Sequence, residues 1–283
     1  MGDLKARMRL LAWPYVGWMA VFVVIPLALV LLYSFTSGDI HDVSSWQFTA
    51  DNFARFNEPT YLKVMADSFL LATASTLICL ILGYPVALII SRADVRYRNL
   101  LLMFFLVPMW MNFLLRTYAW MSLLSPNGLI NRGLQALGLP ILEIMPGPWA
   151  VLLGMVYNFL PFMVLPIYTV LSKIERPLLE AASDLGANRF LTFWKVIFPL
   201  SLPGVVSGIT MVFMPAVSTF VISSLLGGSK TLLIGDVIEQ QFTYERNWHF
   251  GSSLSIILMV IILLSMAVMS RIDRKPAEGG RAA

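Results

Sequence analysis

Charged side chains are scarce in this chain of 283 residues: Asp, Glu, Lys and Arg make up 13% of it, whereas apolar residues make up 58%. Soluble domains carry about a quarter charged residues, because these cover a surface that faces water. A chain with about half that share must expose much of its surface to a different solvent. The composition therefore excludes an ordinary soluble domain and predicts a membrane protein.

Residues that commonly carry chemistry are also few, with one cysteine, Cys79, and two histidines, His41 and His249. A lone cysteine excludes an intrachain disulfide, and two isolated histidines exclude an H-E-x-x-H metal site. The segment "GGSKT" ends like a phosphate loop but lacks the G-K-[ST] sequence, and no G-x-S-x-G elbow occurs. We therefore predict no catalytic residue, no metal site and no cofactor bound by this chain, which is not expected to hydrolyse ATP itself.

The cations do not form one basic stripe, although the net charge is +4. They occur in short clusters between apolar runs, which is typical of membrane topology and not of contacts with nucleic-acid phosphates. We therefore predict a lipid membrane, and no nucleic acid, as a partner.

Six stretches are apolar enough to cross the hydrocarbon core, which takes about 20 residues. They lie at about 11–34, 68–91, 99–123, 148–171, 202–226 and 251–270. The first begins like a signal peptide, but no cleavage site closes it, and we interpret it as an uncleaved span. The sequence thus predicts an all-α membrane protein, with a single transmembrane domain over 1–283.

Fourteen of the 20 Lys and Arg residues lie on one side of these spans. Cytoplasmic loops carry the excess of Lys and Arg, so both termini and the loop 172–201 are predicted to be cytoplasmic. The cations on that side are Lys5, Arg7, Arg9, Arg92, Arg96, Arg98, Lys173, Arg176, Arg189, Lys195, Arg271, Arg274, Lys275 and Arg281.

The loop 172–201 contains a polar stretch, "EAASDLGANRFLTFWKVIFP". Pro177 suits the first turn of a helix, and Gly186 suits the left-handed position after its end. Asn188 can cap a second helix, which we expect to stop before Pro199. Glu180 and Asp184, four residues apart, share a helix face, which indicates an external basic partner or a solvated face.

This stretch resembles the cytoplasmic coupling motif of ABC importer permeases, which reads E-A-A, three residues, G, nine residues, I-x-L-P. The residues that match are Glu180, Ala181, Ala182, Gly186, Val196, Ile197, Phe198 and Pro199, with Val and Phe replacing Ile and Leu. The resemblance implies that this helix docks in a groove of a separate ATP-hydrolysing subunit, with Asp184 as a secondary contact.

Other segments, among them "LGYPVALIISR" and "GGSKTLLIGDVIEQQF", are similar to the spermidine/putrescine importer permeases, in particular to the first of their two permease subunits. The resemblance implies a six-span type I ABC importer permease bundle in a bacterial inner membrane. It also implies a heterodimer with a second related permease, two ATP-binding subunits that use ATP and Mg, and a periplasmic or lipid-anchored substrate-binding protein.

A path for a polycation should offer carboxylates, carbonyls and aromatic faces. The polar and aromatic residues that we assign to it within the spans are Trp110, Asn112, Tyr118, Tyr157, Asn158, Ser218 and Thr219. Asp236 and Glu239 follow span five, and we expect the segment 236–246 to face the binding protein. Asn112 and Asn158 have the alternative of bonding to another helix.

Arg116 conflicts with a polycationic substrate if it faces the path, since it lies inside span three. We expect it to extend to the outer interface or to pair with an acid of the partner chain. An importer of another solute, such as ferric iron, thiosulfate or phosphonate, is the alternative. An ATP-independent secondary transporter is a further one, although several intramembrane ionisable residues would be expected there.

Overall fold

The computed structural model describes residues 13–39 and 42–278. Residues 11 and 12 of the first predicted span, the N-terminal cations Lys5, Arg7 and Arg9, and Arg281 lie outside the described residues. Helices dominate the described part of the chain, in which one short antiparallel pair, Thr36–Ser37 with Gln47–Phe48, is the only β structure. The predicted all-α class is therefore confirmed.

The helices are numbered here in chain order. They are α1 (Trp13–Ser34), α2 (Asp51–Arg55), α3 (Pro59–Arg92), α4 (Val95–Trp110), α5 (Phe113–Leu124), α6 (Leu129–Ala136), α7 (Pro148–Leu171), α8 (Arg176–Asp184), α9 (Arg189–Ser218), α10 (Ile234–Thr243) and α11 (Trp248–Glu278). The described residues include π-helical turns at Ala20–Val24 within α1, at Phe193–Ile197 within α9, and at Ser223–Gly227. Short 3₁₀ turns lie at Val43–Ser45 and Gly228–Lys230.

Five described helices are long and apolar enough to cross a membrane, namely α1, α3, α7, α9 and α11. The expected third span, 99–123, is not one helix, because α4 and α5 meet at a bend of 93°. Pro108 removes a backbone donor from the last turn of α4, and the side chain of Asn112 caps α5 by accepting a hydrogen bond from the Leu114 N–H at 2.8 Å. If this bent pair crosses once, the described residues hold six spans.

The fifth expected span, 202–226, does not coincide with one helix. Helix α9 begins at Arg189, and it ends at Ser218, where Thr219 takes an extended conformation with ψ of 140°. The carbonyl oxygens of Ser218 and Thr219 would lie 2.8 and 2.7 Å from a Cβ atom at Gly235, so the break packs against the start of α10. This contact between distant segments ends the helix inside an apolar run.

The helix capped by Asn188 does not stop before Pro199, as had been expected, but continues as α9. In the π turn that precedes this proline, the N–H of Phe198 donates to the carbonyl of Phe193, five residues back. The wider turn accommodates a proline that an α-helix would otherwise reject. Helix α1 has the same arrangement, with the π turn Ala20–Val24 placed before Pro26.

Small residues bring α7 and α9 into close contact. A Cβ atom at Gly204 would lie 2.9 Å from the carbonyl oxygen of Pro166, and one at Gly208 would lie 2.7 Å from the sulfur of Met163. The two glycines form a G-x-x-x-G pair, which allows helix backbones to approach in a membrane. Residues of α7, including Met163 and Ile167, are fully buried at this contact.

The chain forms two compact units. The first contains the described residues up to Leu62 together with Val237–Ile261. Within it the guanidinium of Arg55 lies 4.5 Å from the centre of the Phe250 ring. The second contains Lys63–Asp236 and the residues from Ile262 onward, and within it the backbone N–H of Ile234 donates to the Ser68 hydroxyl at 2.8 Å.

Candidate coupling surface and transport path

Helix α8 ends in a glycine cap. The N–H of Ala187 donates to the carbonyl of Ala182 at 3.0 Å, and the N–H of Gly186 donates to the carbonyl of Ser183 at 2.8 Å. This pair of bonds is the Schellman motif, in which the residue after the helix takes a left-handed conformation. Gly186 does so, with φ of 82°. The predicted helix end is therefore found, and it explains why a glycine stands at this position.

The second helix starts two residues later. The side chain of Asn188 accepts a hydrogen bond from the Leu191 N–H at 2.8 Å, which caps the first turn of α9. The chain therefore passes from α8 to α9 through a four-residue turn whose backbone is fixed at both ends. Since α9 continues to Ser218, α8 is joined through this turn to a long apolar helix.

Every residue of α8 is at least partly exposed. Glu180, Ala181 and Asp184 are exposed, and Ala182 is half-buried. Two large apolar side chains that follow this helix are also exposed, Leu185 by 88% and Phe190 by 72%. Exposed apolar groups beside charged ones are typical of a surface that binds another protein.

Aromatic side chains connect this surface to the helices behind it. The ring of Phe193, in the π turn of α9, packs edge-on against Trp194 at 5.3 Å and against Tyr84 of α3 at 5.7 Å. Phe198 completes the cluster, 5.3 Å from Trp194 and 6.0 Å from Tyr84. These contacts join the first part of α9 to α3.

The predicted path residues of α4 and α5 lie around the bend between these helices. Trp110 is exposed by 85% and Tyr118 by 48%, and Asn112 is also exposed while it caps α5. The Asn112 side-chain oxygen thus bonds to its own chain at the start of α5.

The predicted path residues of α7 differ in their surroundings. Asn158 is buried, and its amide donates to the carbonyl of Gly154, in the same helix, at 2.9 Å. Tyr157 is partly exposed, and its ring packs edge-on against Trp120 of α5 at 5.3 Å. The structure thus brings Tyr157 to α5, whereas the Asn158 amide bonds within α7.

The break after α9 contains the next predicted residues. Ser218 is exposed and Thr219 is buried. Asp236 is buried at the start of α10, and its carboxylate accepts a hydrogen bond from the Leu233 N–H at 2.8 Å. Glu239 lies one turn further along α10 and is half-buried.

One helix break lies between α4 and α5, and another follows α9. The segments after these breaks contact each other, because α5 packs against the π turn Ser223–Gly227. Gly154 lets this turn approach α7, since a Cβ atom there would lie 2.5 Å from a methyl group of Leu226. Interrupted helices in membranes leave backbone groups without intrahelical partners, and such groups can bind a substrate.

Arg116 lies on α5, next to this region, and is buried with 9% of its surface exposed. Its guanidinium lies 6.0 Å from the centre of the Phe113 ring, and within the described part of the chain its Nε atom has no hydrogen-bond partner. The side chain therefore folds into the protein and does not extend to a surface.

A pocket that the sequence did not reveal lies in the first unit. It has a volume of about 910 Å³ and is lined by residues 38–39, 242 and 245–249. His249 forms part of its wall, with Nδ1 at 3.1 Å from the Thr36 hydroxyl and 3.2 Å from the Tyr33 carbonyl oxygen. The hydrogen bond to the carbonyl places the proton on Nδ1. Two segments about 200 residues apart in the sequence form this pocket, so no local signal could have predicted it.

The long apolar helices place this chain in the class of membrane proteins. It belongs to the family described as binding-protein-dependent transport system inner membrane component, whose pattern matches residues 79–277.

The chain is 42% identical over 262 residues to the spermidine/putrescine transport system permease protein PotB of Escherichia coli (strain K12), covering 92% of this chain and 95% of that protein. The protein of the same name from Haemophilus influenzae is 40% identical over 261 residues, covering 91% of each chain. The similarity to this group of permeases, predicted from the sequence, is thus confirmed.

A solved structure with the same fold is the crystal structure of a bacterial ABC transporter involved in the import of the acidic polysaccharide alginate. Its TM-score is 0.81 and its sequence identity 17%, with 97% of this chain and 98% of that chain covered. The predicted fold, a type I ABC importer permease bundle, is therefore confirmed.

Proposed function

We propose that this chain is the permease subunit of an ATP-driven importer of polyamines such as spermidine and putrescine. The observation that carries this proposal is the similarity, over nearly the whole chain, to permeases named for these two substrates. A separate ATPase supplies the energy, and the permease alternates between states open to either side of the inner membrane. It has six spans and cytoplasmic termini.

The partners follow from this role. A second related permease completes the membrane channel, two ATP-binding subunits hold ATP and Mg, and a periplasmic or lipid-anchored protein delivers the substrate. The segment 236–246 and the adjoining pocket of the first unit form the side that receives this binding protein.

Helix α8 is the element that the ATPase moves. Glu180, Ala181, Ala182 and Asp184 contact the ATPase groove, and Gly186 forms the turn that joins α8 to α9. Because the Schellman bonds and the Asn188 cap fix this turn, movement of α8 carries the start of α9 with it. Closure of the ATPase thereby moves the membrane spans.

The substrate passes the break between α4 and α5 and the break after α9. Backbone carbonyl groups at breaks can accept hydrogen bonds from ammonium groups, and aromatic faces attract cations. The residues that we assign to the path are Trp110, Asn112, Tyr118, Tyr157, Asn158, Ser218, Thr219, Asp236 and Glu239. Mutations here should change the apparent affinity for substrate without abolishing ATP hydrolysis.

Uptake into proteoliposomes tests the substrate class. The transporter is reconstituted with its ATPase, second permease and binding protein, and the uptake of radiolabelled spermidine and putrescine is measured with and without ATP. We expect ATP-dependent accumulation of at least one polyamine. Transport by the isolated chain without ATP would instead identify a secondary transporter.

One observation favours a second candidate, an importer of an anionic solute. A buried arginine whose Nε has no partner among the described residues, Arg116, would attract an anion and repel a polyamine in the same path. The same assay with labelled thiosulfate and a phosphonate separates the candidates. Accumulation of either anion, with no uptake of polyamine, would replace the polyamine assignment.

The coupling role is tested separately with Ala182→Asp and Gly186→Arg. Both variants should insert in the membrane and assemble, while ATP-dependent uptake falls at least about tenfold, the effect of a 1.4 kcal/mol penalty on docking. The matched control is Ala136→Asp, at the exposed end of α6. Wild-type uptake by both coupling variants would contradict the role given to α8.

A further inference from the structure

A second pocket, of about 690 Å³, lies behind α8. The end of α3, the start of α4, the end of α7, α8 and the start of α9 all contribute to its wall. The wall includes the polar residues Arg92, Arg98, Arg176, Arg189, Ser183 and Thr192.

This pocket collects positive charge. Four arginine residues line it, and no Asp or Glu residue does. Within residues 13–39 and 42–278, the structure contains one ion pair of 4.0 Å or less, Arg55–Glu58, and it lies outside this pocket. None of the four arginines therefore has a carboxylate partner within that distance in the described residues. Like charges that converge in a concave site raise the local potential and attract a counter-ion.

Arg98 is held in position by the end of α3. Its Nη2 atom donates to the carbonyl oxygens of Ser91 at 3.1 Å and Ala93 at 3.2 Å. Its Nε atom is buried and finds no partner in the described structure. Capping of α3 accounts for the position of Arg98, but it does not account for Arg92, Arg176 and Arg189 around the same cavity.

We propose that this pocket binds a phosphate group. The planar guanidinium presents paired donors that match phosphate oxygens, and the Ser183 and Thr192 hydroxyls can donate further hydrogen bonds. The pocket lies among the cations of the side predicted to be cytoplasmic, so the phosphate belongs either to the headgroup of an anionic phospholipid or to a soluble phosphate. The transported polyamine is excluded, because it is a cation.

The position of the pocket gives the ligand a consequence for α8. Arg176 and Ser183 belong to α8, whereas Arg92 and Arg98 belong to the ends of α3 and α4. A phosphate that contacts both groups clamps α8 to these helix ends and sets its resting position.

Binding is measured on the chain purified in a neutral detergent together with the subunits that co-purify with it. The probes are phosphatidylglycerol, zwitterionic phosphatidylethanolamine as the comparison without net charge, and inorganic phosphate. Retained lipid is counted by native mass spectrometry, and titration of the melting temperature gives the apparent affinity for each probe. Neither measurement depends on transport, so the result stands apart from the proposed function.

The variants are Arg98→Gln and Arg189→Gln, and the controls are Arg96→Gln and Lys195→Gln, which change cations of the same predicted side outside the pocket wall. Each pocket variant should weaken phosphatidylglycerol binding about fivefold, the effect of one basic residue at an anionic surface. The controls should bind as the wild type does. Arg189 is exposed and donates no side-chain bond in the described structure, so its removal leaves folding intact.

The outcomes are distinct. Binding of phosphatidylglycerol alone, weakened in the pocket variants, assigns the site to a lipid headgroup. Binding of inorganic phosphate with the same sensitivity assigns it to a soluble phosphate. Equal binding by pocket variants and controls, or no binding of either probe because a carboxylate of the co-purified ATPase fills the pocket, overturns the proposal.

Discussion

The hydroxyl oxygens of Tyr84 and Ser201 lie 2.8 Å apart, at a buried contact between α3 and α9. Ser201 donates its own proton to the carbonyl of Phe198 at 2.9 Å, so Tyr84 is the donor of the shared bond. Because the Tyr84 ring also packs against Phe193, this residue holds the start of α9 through both its hydroxyl and its ring.

The Tyr84→Phe variant tests this contact, since it removes the hydroxyl and keeps the ring. We expect a loss of about 0.5–1.5 kcal/mol in the free energy of unfolding, the usual net effect of one hydrogen bond. A double-mutant cycle with Ser201→Ala, followed by denaturant unfolding in mixed micelles, isolates the interaction. A coupling energy of zero in that cycle would show that the two hydroxyls do not stabilise each other.

The backbone conformation of Gly186 predicts different effects for two substitutions at this position. Gly186→Ala should destabilise the turn by about 1–2 kcal/mol, because an L-residue with Cβ is strained at φ of 82°. The described residues leave open space around this position, so strain and not a clash is the cause. Gly186→Asn should be tolerated better, since asparagine adopts this conformation more readily. Uptake assays and thermal unfolding of the two variants measure the difference, and equal effects would contradict the strain argument.

Packing of α7 against α9 should be sensitive to one methyl group. In Gly204→Ala the new Cβ would lie 2.9 Å from the Pro166 carbonyl oxygen, which is backbone and cannot rotate away, so the helices must separate. We expect a loss of about 1–3 kcal/mol, as for overpacked cores. The control is Gly133→Ala in α6, where the described structure has no heavy atom within 4 Å of the new Cβ. That change should raise stability slightly by favouring the helix, and thermal unfolding of both variants compares them.

The loop after α5 is held by hydrogen bonds of one buried side-chain amide, that of Asn131. The Asn131 Nδ2 donates to the carbonyl oxygens of Ser125 and Leu142, both at 3.1 Å, and its Oδ1 accepts from the Leu142 N–H at 2.8 Å. Asn131→Ala leaves these backbone groups without their partner and should cost about 1–3 kcal/mol.

Limited proteolysis of residues 125–142, followed by mass spectrometry, measures this effect directly. The Asn131→Ala variant should be cut faster than the wild type. The exposed Asn99, whose side chain has no hydrogen bond in the described structure, provides the control Asn99→Ala. Equal cutting rates for the two variants would contradict a stabilising role for the buried amide.

The sequence predicted the ends of those helices that are determined by residues close by in the chain. The fourth span was expected at 148–171, and α7 covers Pro148–Leu171, with its proline in the first turn. The glycine cap of α8 and the Asn188 cap of α9 were equally readable, because each acts within a few residues of its helix.

Features decided by contacts between distant segments were not predictable in this way. The end of α9 at Ser218 depends on Gly235, and the passage through Pro199 depends on a π turn that has no sequence signature here. Read from the sequence, the four arginines that line the pocket behind α8 indicate only the membrane topology. Their convergence around one cavity follows from the packing of five helices, which charge counting cannot show.

The π turn Phe193–Ile197 has one further mechanical consequence. A π turn contains one residue more than the α turn that it replaces, so α9 carries a residue of slack between its capped start and the apolar run beyond Pro199. If the slack moved along the helix, the residues that it passed would rotate by about 100° and shift by about 1.5 Å relative to α8, without loss of any helix. The first part of α9 is thus adjustable in length by one residue.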